Sequence, residues 1–522
     1  MKLKKILSST MVLVLVISVL SGCGGSENNT TASTQEDKEV VQVTPEIKFP
    51  LDNPVTMSMF AITNVEELPD NKGFQKMEQM TNIKWDVQST LGSDINEKRN
   101  LLFASNKYPD VFYKSGFSQN DVDKYGKQGS LIPLEDLIED YAPNLVALME
   151  KNPEIKNIIT SPDGHIYAFP EIDKPMPYGP YLFINKEWIE NVGMNEPTNL
   201  DELYELYKAF KTQDPNKNGE NDEIPLTFFA ADLWNPFFLL PYFGVPVDYA
   251  TNCYVSEDEI LFAPTSEAYK EEIKYLTKLY DESLLDPNAF IQTIAQQQAK
   301  GQSGEIFGSF NDAGAFLTTG RGEDLSYPML TPFEKESYPV NINVSPGTFV
   351  ITDACETPEL AVKWADYFYS EEGAILCWMG TEGESYKMNE DGTWNWIVGE
   401  GEDISSVRQK NALQGAALHT GLQPDLFFKT TDENEGFLND EKARLLEYCA
   451  QPFPKLKYST EDQKLVSTVT ADILPYIQEY TAKCVTGTFS VDESWEEYLT
   501  TLNNMGLEDL MSIYQKAYEI EK

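Results

Sequence analysis

Three apolar runs, TMSMFAI (56–62), IKWDVQS (83–89) and DVFYKS (110–115), decide the fold. Each reads as a strand, and the segments between them read as helices, one near 70–80 and one ending in LLFASN (101–106). A β-α-β-α-β order of this kind builds an α/β sheet with ligand sites at its strand ends. IYAFP (166–170) and YLFINKEW (181–188) supply further strands, and KEWIENVGM (186–194) is a short helix that Gly193 can close. In SEAYKEEIKYLTKLYDESLL (266–285), Tyr269, Ile273, Leu276, Tyr280 and Leu284 share one helix face. TPELAVKWADYFYSEEGAILCW (357–378) opens on Thr357 as N-cap with Pro358 at the first helical position, and Leu360, Trp364 and Phe368 follow at i+4. These stripes, like Trp85, are core-packing features. Residues 493–522 read as helices broken near Gly506.

At the start of the chain, Lys2, Lys4 and Lys5 precede an apolar run from Ile6 to Leu20 that closes on Ser21-Gly22-Cys23. A basic segment, a short apolar segment and small residues form an export signal, and the run is shorter than the roughly 20 residues of a membrane span. The ending resembles a bacterial lipobox, which makes residues 1–22 a signal peptide and Cys23 the lipid-modified first residue of a protein held on the extracytoplasmic face of the cell membrane. Residues 23–52 are then a lipid-anchored tether, polar and poor in aromatics. The 470 residues beyond it exceed what one hydrophobic core organises, so two lobes are expected.

The 84 acidic residues outnumber 40 basic ones, for a net charge of -44, and loss of the three signal-peptide lysines makes it -47. Such a surface repels nucleic acid and favours cations. Cys253, Cys355, Cys377, Cys449 and Cys484 are widely spaced and odd in number, so neither a zinc site nor a disulfide framework is indicated. His165 and His419 are the only histidines, too few for a histidine-rich metal centre.

ASNKYPDVFY, SLIPLEDLIEDYAPNL, DGHIYAFPEI, YLFINKEWIENVGMNEPTNLDELYE, DPNKNGENDEIPL, LLDPNAF, TPELAVKWADYFYSEEG and NNMGLEDLMSIYQKAYE stand in this order across the chain. Together they resemble the family 1 extracellular solute-binding lipoproteins of bacterial ABC sugar importers, in the long subgroup that includes alginate-binding members. That resemblance implies a type II periplasmic-binding-protein fold, two α/β lobes joined by a hinge with the ligand cleft between them. Crossovers are expected at 180–186 and 341–347, with 53–180 and 345–400 in the N-terminal lobe and 183–343 and 401–522 in the C-terminal lobe. The partners implied are an oligosaccharide, the permease subunits of an ABC transporter and the membrane, with the binder itself a monomer and not an enzyme.

DPNKNGENDEIP (214–225) carries oxygen donors at calcium-loop spacing, Asp214, Asn216 and Asn218 at positions 1, 3 and 5, Gly219 at 6, the Glu220 carbonyl at 7 and Asp222 at 9. Position 12 is Pro225, so the acidic ligand must come early, from Glu223. This departs from an EF-hand and resembles the loop of the solute-binding subgroup. The expectation is a structural Ca²⁺ that staples a helix near DELYELYKAF to a strand at EIPLTFFA, with an ion-free acidic turn as the alternative.

Sugar sites pair stacking aromatics with a few polar groups in a concave pocket. Trp234, Trp378, Trp394 and Trp396 stand in loop-like, polar surroundings. Trp234 follows the strand after the 214–225 loop, where the family's fold places cleft residues, and is the leading candidate. The same topology adds Phe60, Tyr113, Ser115, Tyr178 at the hinge, Asn311 and Asp312; for each aromatic the alternative is core packing. The net charge favours a neutral oligosaccharide over a uronate, unless Arg321 and Arg408 lie in the cleft. A surface glycoside hydrolase is the rival class, but with so many acids a pair of carboxylates carries no weight. A peptide receptor and a structural calcium-dependent surface protein are further alternatives. No G-x-x-x-x-G-K-[ST] is present, so the chain has no ATP loop of that kind.

Overall fold

Strand β1 (Val55–Ile62), helix α1 (Lys72–Thr81), β2 (Ile83–Thr90), α2 (Ile95–Ser105) and β3 (Val111–Tyr113) follow one another in the order the apolar runs predict. The computed structural model describes residues 47–63, 65, 68–230, 237–303, 307–341 and 344–521. Asn71 starts α1 by accepting from the Phe74 amide at 3.0 Å, and Asn82 ends it in the left-handed conformation. Both β2 and β3 pair with β1 in parallel. Strand Val344–Ile351 then runs antiparallel to β3 and to β4 (Ala168–Ile172), and Gly421–Leu422 closes the other edge in parallel with β4. The result is a six-stranded mixed sheet. Side chains alternate across it, so Met57, Met59 and Ala61 enter one core with Trp85, Phe349 and Trp364, while Phe60, Phe112 and Val350 enter a cluster on the opposite face.

A second core gathers the helices Leu200–Thr212, Glu267–Asp281 and Thr460–Val485 through Leu206, Phe210, Tyr269, Ile273, Leu276 and Ile477. Leu284 is buried there too, just beyond the end of its helix. The small sheet of this lobe pairs Tyr181–Ile184 with Ser309–Asp312 antiparallel. The segment expected as a strand at EIPLTFFA joins it only through single bridges, Ile224 to Phe307, Leu226 to Leu285 and Thr227 to Phe310. Between the lobes, Met176–Pro177 pairs antiparallel with Val340–Asn341, a ribbon that carries the chain out and back.

Two local expectations change. The C-terminal lobe does not begin at 401: Val407, Leu413, Ala416 and Leu418 pack in the first core, and Gly421–Leu422 extends its sheet. The edge beside β4 offers unpaired backbone groups, and this segment satisfies them. Thr357 makes no side-chain cap, and its helix stops at Asp366, restarting at Glu371 with Ser370 accepting from the Gly373 amide. Leu360, Trp364 and Phe368 are nevertheless all buried. Gly506, at a positive φ of 102°, separates Val491–Asn504 from Leu507–Glu521 as expected. Among the described residues no helix is long and apolar enough to cross a membrane. The signal peptide, Cys23 and the tether up to residue 46 lie outside the described residues.

Candidate ligand cleft and metal loop

Of the ten residues expected in the cleft, Trp234 lies outside the described residues. Several others are committed to the fold. Phe60 packs edge-on to Phe112, Tyr113 is fully buried with its hydroxyl donating to the Leu418 carbonyl at 2.7 Å, and Ser115 donates to the Phe60 carbonyl at 2.9 Å. Asp312 is closed upon its own lobe, accepting from Gln298 and Thr318 at 3.1 and 2.8 Å, and burial pushes its carboxyl above the ordinary range. Asn311 keeps a buried Oδ1 with no hydrogen-bond partner among the described residues. Tyr178 is partly exposed beside the interlobe ribbon and stacks on Tyr249 at 5.5 Å.

The three tryptophans are not in loops. Trp378 lies in the helix Glu371–Met379, and Trp394 and Trp396 occupy one strand of a hairpin. Both strand residues are buried: the Trp394 indole donates to the Leu426 carbonyl at 2.7 Å and that of Trp396 to Glu435 at 3.3 Å. Trp378 meets His419 and Phe427 edge-on at 5.8 and 5.1 Å.

His419 belongs to a charged cluster that sequence reading passed over. Lys114, in the left-handed region at φ 48° just past β3, sets its Nζ 2.5 Å from Glu171 Oε2, and His419 Nε2 lies 2.9 Å from Oε1 of the same carboxylate. Burial alone would raise the Glu171 carboxyl; His419 and Lys114 hold it below its ordinary value instead. Residues 57 and 305 positions apart meet here, so no local pattern could announce them.

Farther along the same aromatic wall, Arg408 lies 5.7 Å from the Phe427 ring and 6.0 Å from that of Trp396. It lines a cavity of about 740 Å³ whose walls come from both lobes, Phe316 and Arg321 on one side and the helix Ile404–Asn411 on the other. Both arginines singled out in the sequence therefore share one interlobe space.

The loop at 214–225 is tightly folded. Asp214 accepts from the amides of Asn218 and Gly219 at 3.1 Å each, and Asp222 accepts from the side-chain amides of Asn216 and Asn218. Asp214, Lys217 and Gly219 all take positive φ. These amide contacts, which exceed any from a charged group, hold the Asp222 carboxyl below its usual value. Lys211 ties the loop to the preceding helix through the Glu223 carbonyl at 2.8 Å. No group of three or more His, Cys, Asp or Glu among the described residues is disposed to hold a metal. The loop's donors, however, include two asparagine amides and a backbone carbonyl, and Glu223 Oε1 is buried without a hydrogen-bond partner among the described residues. An orphaned buried carboxylate oxygen fits a cation ligand.

Residues 66–375 match the bacterial extracellular solute-binding proteins, and the chain belongs to that family. It is accordingly an extracytoplasmic binding protein of a transporter, not an enzyme. Over its whole length it is 29% identical to the fructooligosaccharide ABC transporter substrate-binding protein FusA of Streptococcus pneumoniae, covering 99% of both chains. The structure of FusA with kestose superposes with a TM-score of 0.72 at 28% identity, over 89% of this chain and 99% of that one; another FusA structure is of an EF-hand mutant with fructo-nystose, also at 0.72 and 27%. The polygalacturonan/rhamnogalacturonan-binding protein YtcQ of Bacillus subtilis is 27% identical over 58% of this chain and 57% of its own. The two-lobed periplasmic-binding-protein-like fold is thus shared with solved solute-binding proteins.

Proposed function

We propose that the protein captures an oligosaccharide between its two lobes and delivers it to the permease of an ABC importer, with Cys23 anchoring it to the membrane as a monomer. The observation that carries this reading is the cavity bounded by both lobes, where one aromatic side chain, Phe316, stands among hydrogen-bonding ones such as Arg408, Gln409, Gln414 and Asn434. Full-length similarity to FusA, whose name specifies fructooligosaccharide, supports the substrate class. Closure needs only that the ligand bind the closed form more tightly than the open one, and the Met176–Pro177 and Val340–Asn341 ribbon is a short connection about which lobes can turn.

The 214–225 loop is read as a Ca²⁺ clip, with Asp214, Asn216, Asn218, the Glu220 carbonyl, Asp222 and Glu223 as its donors. A bound calcium would supply charge neutralisation and cross-linking within the loop, bracing the lobe and taking no part in ligand chemistry. Asp214 and Lys217 already hold the positive-φ conformations of a tight loop.

A binder returns its ligand intact, whereas a hydrolase releases reducing ends. Incubating the protein with a mixed oligosaccharide pool, isolating the complex and weighing the eluted sugar by mass spectrometry separates the two. Intact sugar is expected; progressive appearance of shorter chains would refute the transport reading.

A further inference from the structure

Arg321 is an unusual residue for this chain. It is exposed between Gly320 and Gly322, both at positive φ, so a tight turn presents it, and its guanidinium lies 4.0 Å over the Phe316 ring. Among the described residues no carboxylate approaches it within ion-pair distance, although acidic residues outnumber basic ones 84 to 40. Across the same cavity stands Arg408, fixed by Gln414 Oε1 at 2.5 Å and Glu435 Oε1 at 3.4 Å.

Three carboxylates, Asp403, Asp432 and Glu435, stand on the cavity wall against these two arginines, but Asp403 and Asp432 are N-caps whose charge faces the positive ends of helices, and Glu435 pairs with Arg408. Asp403 accepts from the Ser406 amide at 2.7 Å, Asp432 from the Glu435 amide at 2.9 Å, and Glu435 holds both Arg408 and the Trp396 indole. Asp324, buried behind the Arg321 turn, takes the Gly322 amide and the Asn434 side chain. Among the described residues, the cavity-lining charge left without an ionic or capping partner is therefore Arg321, close enough to Arg408 that, after burial and against the raising pull of Glu435, its charge adds to the lowering of the Arg408 proton affinity.

Resting on the oligosaccharide reading above, we infer that the ligand carries a carboxylate, which Arg321 receives with Arg408 beside it, so that the protein selects acidic oligosaccharides over neutral ones of the same length. A guanidinium stacked on an aromatic ring and free on its edge is suited to a bidentate grip on a carboxylate. Phe316 offers an apolar surface to the adjoining sugar ring. The opposing argument is the net charge of -44. Screening decides between them: at physiological ionic strength the Debye length is about 8 Å, so distant surface acids are damped while a contacting guanidinium is not.

The test is calorimetric titration of the purified protein, and of Arg321→Gln, with trisaccharides of galacturonate, mannuronate and sialyl-lactose type against kestose, maltotriose and cellotriose. Arg321 is exposed, so the variant should melt like the parent, and melting is checked first. Expected are saturable binding of an acidic sugar and a loss of about 10- to 100-fold in its affinity in Arg321→Gln. Binding of a neutral sugar alone overturns this inference and leaves the oligosaccharide reading standing. Acidic binding unchanged in Arg321→Gln removes Arg321 from the site. Failure of every sugar refutes both.

Discussion

Lys114 and Glu171 form an ion pair of 2.5 Å at the end of the main sheet, the lysine bent into the left-handed region to reach a carboxylate that is almost wholly buried. Breaking a buried pair leaves a charge without compensation, at a cost of about 3–5 kcal/mol. Because His419 remains beside Glu171, Lys114→Met should fall near the lower end, about 3 kcal/mol by urea denaturation at pH 7. The folded-state pKa of Glu171 is depressed, so its contribution is present above the unfolded value of about 4.5 and lost as pH falls through the folded value. The gap between parent and variant should therefore narrow below pH 4.5. A gap independent of pH would show that packing, not charge, is responsible.

Asp366 supplies from a distance the cap that helix Pro143–Lys151 lacks. Ala142 cannot cap it, and the Asp366 carboxylate accepts from the amides of Asn144 and Leu145 at 3.2 and 2.9 Å. Asp366→Ala should destabilise the protein by about 2 kcal/mol, and Asp366→Asn by less, since it keeps one acceptor. Equal losses in the two would contradict a capping role.

Glu272 is fully buried; its Oε1 accepts from the Leu239 amide at 3.2 Å, and Oε2 has no partner among the described residues. Burial raises its pKa well above 4.5. The unfolded chain thus releases this proton first, so the associated stability is complete below about pH 4.5 and is lost as pH rises towards the folded value. Each pH unit in that window weakens the fold by up to about 1.4 kcal/mol. Glu272→Gln should be the more stable of the two at pH 8 and should lose this slope. Parallel pH profiles would show Glu272 to be ionised in the fold.

Calcium should stabilise the protein through the 214–225 loop. Any ligand of the folded state alone adds RT ln(1 + [L]/Kd), about 2.7 kcal/mol at a hundredfold excess over Kd. Chelator-treated protein should melt several degrees lower than the same sample with calcium restored, and Glu223→Gln should lose most of that difference. Identical melting with and without calcium would leave the loop an ion-free turn.

Legibility in the sequence followed the range of the interaction. The first five elements could be read because short apolar runs mark β1, β2 and β3 and the segments between them are of helix length. Residues 407–422 join the first core and its sheet, which the sequence does not announce because pairing to a distant sheet edge leaves no local trace. Strand-end topology points to Phe60, Tyr113 and Ser115, yet all three are buried. Lys114, between two of those choices, reaches the charged cluster. Charge alone marks Arg321 and Arg408 in the sequence, and only the fold places them on one cavity.

The most direct test of oligosaccharide capture is the melting temperature of the calcium-loaded protein across a set of neutral and uronate oligosaccharides. A saturable rise with at least one sugar, absent with peptides, is the predicted result; no rise with any sugar at concentrations up to millimolar would contradict the account.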